Sequence, residues 1–163
     1  MLSHEHLLAQ MPSTLCLGYS SVHLWHPSEL AKRQVGYSIG PDGKPLSGNR
    51  DGDWRSNWLV IGIEGQCGDP LFIDTATAGY AVYTAWHGEG RWDPKPIALS
   101  LDGFRAALIA VGKAARGRDN PVALEKNPLT AREREEILEE IQRYNPGIDL
   151  YFWALMLGDD VEG

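Results

Sequence analysis

A chain of 163 residues, 43% apolar and 23% charged, is long enough to bury one core and reads as a single globular domain. Its apolar runs are too short to span a bilayer, and residues 1–15 lack the basic start and long apolar stretch of a signal peptide, so a cytoplasmic protein is expected. A formal net charge of −7 repels phosphate backbones, which argues against nucleic acid and for steered capture of a basic partner.

Residues 1–18 are weakly patterned, and Met11-Pro12-Ser13 breaks any helix begun over Glu5 to Gln10. Ser21 to Trp25 suits a short strand, and His26-Pro27-Ser28 opens a brief helix through Gln34. Gly40 to Asp53, with four glycines and two prolines, reads as an exposed loop that orders when a partner binds. Trp58 to Ile63 is a nearly continuous apolar, β-branched run, which predicts a central strand covered on both faces. A glycine-bearing loop, Glu64 to Pro70, leads to a second strand over Leu71–Asp74, then a hairpin-length link over Thr75–Gly79. Tyr80 to Trp86 alternates, with Tyr80, Val82, Thr84 and Trp86 on one face. Such short links imply an antiparallel meander.

Helices follow the strands. Ser100 is placed to cap a helix whose Phe104, Leu108 and Val111 share a stripe, and Arg116-Gly117 ends it. Residues 119–129 read as a connection anchored by Leu124. Thr130-Ala131-Arg132-Glu133 is a capping box before a charged helix with the stripe Ile137, Leu138, Ile141 and Tyr144. Asn145-Pro146-Gly147 stops it, and Ile148 to Leu157 forms a last apolar helix. Strands first and helices afterwards define an α+β fold, an antiparallel meander with one face covered by helices. The whole chain, 1–163, reads as one domain, with 119–163 a helical extension packed on it.

Candidate chemistry is sparse. His4 and His6 are two apart, whereas zinc-binding helices place histidines four apart, so no metal site is expected there. The glycines of Gly62 to Gly68 lack the Lys-Ser/Thr ending and following helix of a phosphate loop. Cys16 and Cys67 read as buried free thiols of a reducing compartment. Lys113 to Arg118 collects cations where a helix ends, which suits the helix dipole rather than a nucleic acid. Asp69, Asp74 and His87 are the available acid–base set, although Asp-Pro and Asp-Thr are also ordinary turn chemistry. No nucleophile stands in a recognisable motif, so an enzyme and a cofactor are not expected. Trp86 and Trp92 flank the Gly88-Glu89-Gly90 turn, where aromatic rings make good binding anchors.

The segment Trp58…Gly62…Gly68-Asp69-Pro70…Asp74…Val82-Tyr83…His87…Ala98-x-Ser100-x-x-x-Phe104 resembles the SUKH superfamily, which includes fungal regulators of cell-wall synthesis and bacterial toxin-immunity proteins. The resemblance covers about residues 20–115. Family members open with a helix bearing Leu-Pro and ending in Asn-Gly-Gly, where this chain has only Met11-Pro12. The resemblance implies a non-catalytic α+β protein-binding module. The expectation is an immunity protein covering a basic toxin domain, with Asp69, Asp74, Trp86, His87 and Trp92 as partner-binding residues. A regulatory scaffold and a small hydrolase using Asp69, Asp74 and His87 are the alternatives.

Overall fold

The computed structural model describes residues 1–158; residues 159–163, the end of the expected extension, lie outside the described residues. Six strands run in sequence order as one antiparallel meander: β1 (Thr14–Leu17), β2 (Ser20–Leu24), β3 (Trp58–Glu64), β4 (Pro70–Asp74), β5 (Val82–Thr84) and β6 (Lys95–Ala98). The helices are α1 (His4–Leu8), α2 (Leu30–Arg33), α3 (Leu101–Ala115), α4 (Pro121–Lys126), α5 (Ala131–Tyr144) and α6 (Tyr151–Met156). The expected α+β class and meander are observed, with more strands than the hydrophobic pattern announces.

The additional elements have local reasons. Residues 1–18 hold both α1 and β1, and Met11-Pro12 falls between them rather than inside a failed helix. β6 contains Pro96, which lacks a ladder donor and suits an edge strand, so its sequence does not advertise a strand. The link over 119–129 contains α4, capped by Asn120 and begun by Pro121. β5 is shorter than Tyr80–Trp86, since Tyr80 has φ 62° and leaves the extended region.

The helix caps match the sequence. Ser100 Oγ accepts the Gly103 amide at 3.0 Å, and Thr130 and Glu133 exchange both bonds of a capping box. Tyr144, by contrast, is exposed and does not extend the α5 stripe that Ile141 buries. Arg118, at the end of the basic run, is buried. Its guanidinium donates to the carbonyls of Ala114 and Asn127 and pairs with Glu133 at 3.1 Å. That ties the end of α3 to the start of α5, so its role is architectural.

Register divides the sheet into two faces. Val22 pairs with Glu64, Gly62 with Leu71, and Leu71 with Thr84, so these residues share one face. On that face Leu71, Ile73 and Val82 pack with α3, Ile141, Trp153 and Leu129 in one core, which takes in the helices after residue 119. On the other face Val60, Phe72 and Ala85 pack under Trp54, with Tyr37, Trp58, Tyr83 and Trp92 around it. The cover on that side is the irregular segment between α2 and β3. Gln34 holds it, accepting the Val60 amide at 3.0 Å and donating to the Val60 carbonyl at 2.9 Å. Gln34 thus continues the ladder where β2 has ended. The segment also bonds to itself: Ile39 bridges Pro45, and the Gly48 amide reaches the Trp54 carbonyl.

One buried side chain joins the layers on the helical side. Asn145, fully buried, accepts the Leu99 amide at 3.0 Å and donates to the carbonyls of Gly103 and Ile141 at 3.1 Å each. Gly103 must lack a side chain, because a Cβ there would overlap Asn145 Oδ1. Trp153 adds a bond from its indole N–H to the Ile97 carbonyl at 2.8 Å, which docks α6 on edge strand β6.

Candidate functional site

The sheet's helix-side face is not covered along its whole length. Near the β3–β4 loop the neighbouring cover comes from the α6 residues Tyr151, Phe152, Leu155 and Met156. Glu64, Thr84 and Lys95 meet there because β2–β3, β4–β5 and β5–β6 register bring them to the same end of the same face. The result is a cleft of about 310 Å³, with Ile97, Phe152 and Met156 among its apolar walls. Glu64, Asp69 and Asp149 are the acidic residues of its lining, and Lys95 the basic one. Trp86, Tyr151 and Leu155 line it while remaining 50%, 47% and 45% exposed.

The β3–β4 loop is folded around one carboxylate. Glu64 accepts the Gln66 amide at 3.1 Å on one oxygen and the Cys67 amide at 2.5 Å on the other, while Gly68 turns with φ +75°. Donor atoms of Glu64, Cys67 and Asp69 lie within 4.8 Å of one another, a metal-like grouping. Both Glu64 oxygens are already engaged by amides, and the Glu64 carboxylate, followed by burial and Asp69, pushes the Cys67 thiol up from its ordinary value. The trio is therefore explained as turn chemistry around a protonated thiol. Cys67 is exposed rather than buried, because that loop rides at the cleft mouth; Cys16 is half-buried in β1, and both are free thiols.

Asp69 is the inward carboxylate of the loop. Its Oδ1 accepts the His87 backbone amide at 3.0 Å and the His87 Nδ1–H at 2.7 Å. The contact fastens the segment after β5 to the loop before β4, and it sets a proton on Nδ1 of a half-exposed imidazole. Asp69 also acts at a distance, for its charge adds to burial in raising the Tyr37 hydroxyl above its ordinary value.

The five residues singled out from sequence do not form one edge. Asp69 and Trp86 line the cleft, and His87 is bonded to Asp69 without lining it. Asp74 ends β4 at its far end, about 16 Å away at strand rise, and on the opposite face as the register partner of Trp58. There it accepts from the Asn57 side chain at 2.5 Å and the Ala76 amide at 2.8 Å, which closes the β4–β5 turn. Trp92 lies against Trp54 and Tyr37 in the loop-side aromatic cluster, with ring centroids 5.2 and 5.7 Å away. Glu64, Lys95, Asp149 and Tyr151 are cleft residues that sequence reasoning does not single out. Lys95 is hidden because β6 is, whereas Asp149, whose carboxylate accepts the Tyr151 amide two residues on at 2.9 Å, carries a readable turn signal.

Fold and site define an α+β meander protein with an open, apolar, carboxylate-bearing cleft. No protein-family model, curated protein or solved structure matches the chain. Among the described residues, no helix is long and apolar enough to cross a membrane.

Proposed function

We propose that the chain is a non-enzymatic protein-binding module of SUKH type that neutralises a basic toxin domain by covering its working surface, in the cytoplasm of the producing cell. The observation that carries the reading is the cleft: half-exposed Trp86, Tyr151 and Leu155 beside three carboxylates, on a chain of net charge −7. Half-exposed aromatic side chains are the usual anchors of protein interfaces, and complementary charge speeds capture. Capture from the source cell, followed by co-expression with the captured protein, tests it. Rescue of growth from a lethal basic partner is expected, with nanomolar or tighter affinity and an on-rate that falls as salt rises. A salt-insensitive on-rate contradicts the steering; a partner that is not lethal contradicts the immunity role and favours the regulatory scaffold.

A hydrolase is the second reading, favoured by the 2.7 Å contact of Asp69 with His87. Asp74 lies too far from that pair to serve with it, since paired carboxylates act across about 5–9.5 Å. Turnover by the wild-type protein that Asp69→Ala abolishes is the result this reading requires.

A further inference from the structure

We infer that the cleft is an arginine pocket: it takes the side chain of one exposed arginine from a basic protein partner, the guanidinium meeting Trp86 and the carboxylates of Asp69 and Asp149. The inference rests on the protein-binding reading and names what the partner inserts. Three features of the cleft select this occupant. Its volume of about 310 Å³, at the low end for ligand pockets, admits one long side chain with room for water beside it. Its walls are apolar, through Ile97, Phe152 and Leu155, which suits the methylene stem of arginine or lysine. Its charge is that of three carboxylates against one ammonium, which suits a cationic head.

The cleft already holds a cation of its own. Lys95 Nζ stands 5.1 Å from the centre of the Trp86 ring and is tied outward to Asp93 at 3.4 Å. The ring therefore sits where a cation is stabilised, and an incoming guanidinium, less strongly hydrated and able to stack flat, competes for it. Strand addition is a poorer fit for this edge. β6 has Pro96 in place of one donor, and the Ile97 carbonyl is taken by the Trp153 indole. A side chain can enter where a strand cannot pair.

The test is titration of the ¹⁵N-labelled full chain with the capped tripeptides Gly-Arg-Gly, Gly-Lys-Gly and Gly-norleucine-Gly, observed by NMR. Saturable shifts are expected at the Trp86 indole N–H and the amides of Asp69 and Tyr151, strongest for arginine and weakest for norleucine. Trp86→Ala, or Trp86→Leu if the alanine variant does not fold, weakens arginine binding about fivefold. Asp149→Asn, which keeps the turn acceptor, weakens it about two- to fivefold. Lys95→Met tightens it, because the resident cation is gone. Equal binding of norleucine, shifts away from the cleft, or variants that bind as the wild type overturn the proposal. The two readings fail separately. A captured partner bound equally well by Trp86→Ala and Asp149→Asn overturns the pocket and leaves the protein-binding module standing. Arginine-specific titration without any captured partner supports the pocket and counts against the module.

Discussion

The two faces of the sheet are buried by different means. On the helical face the cover is regular: α3, α5 and α6 satisfy their own backbones, and mostly aliphatic side chains such as Leu71, Ile73, Val82, Leu108 and Ile141 fill the space. On the other face the cover is an irregular segment whose backbone bonds are scattered turn and bridge contacts rather than a helical ladder. It buries area through large rings instead, Trp54 lying 4.8 Å from Phe72, 5.4 Å from Trp58 and 5.2 Å from Trp92. Each ring buries roughly 150–250 Å², so few fixed residues cover the sheet. Polar side chains then stand in for missing ladders, Gln34 on Val60 and Arg55 on the Gly48 carbonyl at 3.1 Å. A helical layer thus needs volume from its side chains, and a loop layer needs volume together with hydrogen bonds.

The contrast predicts where each face breaks. Trp54→Ala removes the ring that meets Tyr37, Trp58, Phe72 and Trp92, and a loss of about 3–5 kcal/mol is expected in denaturant unfolding. Hydrogen exchange in residues 36–53 speeds up far more than in α3. Equal acceleration in both would show that the loop layer is not a separate unit.

Asn145→Ala takes a side-chain partner from the Leu99 amide and from the Gly103 and Ile141 carbonyls on the helical face, with an expected cost of about 2–3 kcal/mol spread over global unfolding. Gln34→Ala does the same to the Val60 amide and carbonyl, at about 1–3 kcal/mol, with the exchange change confined to the loop and β3. If both variants opened the molecule uniformly, the division into two layers would not hold.

The smallest effect belongs to Glu133. Its carboxyl is held below the usual range, first by the Thr130 amide and then by Arg118 and the Thr130 hydroxyl. A lowered folded-state value means that the contribution is present above the ordinary glutamate range and lost as pH falls through the folded value. Glu133→Gln should therefore be less stable than the wild type at pH 7, with the gap closing below about pH 4. A gap independent of pH would assign the effect to capping geometry rather than charge.

How much of the molecule is legible in its sequence follows the range of each signal. Ser100, Thr130–Glu133 and the Trp58–Ile63 run act within a few residues, so their elements read directly from the chain. The alternation that puts Val82, Thr84 and Trp86 on one face also holds, although ladder pairing covers only Val82–Thr84. Trp54 gives no sign of its central place, because a tryptophan at the end of a glycine-rich loop carries no periodic pattern. Asp69 and Asp74 are near neighbours in the chain, yet β4, which starts after Asp69 and ends with Asp74, sends them to opposite ends and faces.

By itself, the sequence determined the α+β class, the antiparallel meander, the helix caps and the acidic charge. Each depends on local preference or on a sum over the chain. In contrast, α1 ahead of β1 and α2 between β2 and β3 depart from the expected order of strands first and helices afterwards. Only the tertiary structure decided that Asp69 binds His87, that Trp92 joins Trp54, and that Lys95 stands beside Trp86. Those pairings depend on strand register and on where α6 docks, which bring together residues that no short-range pattern links.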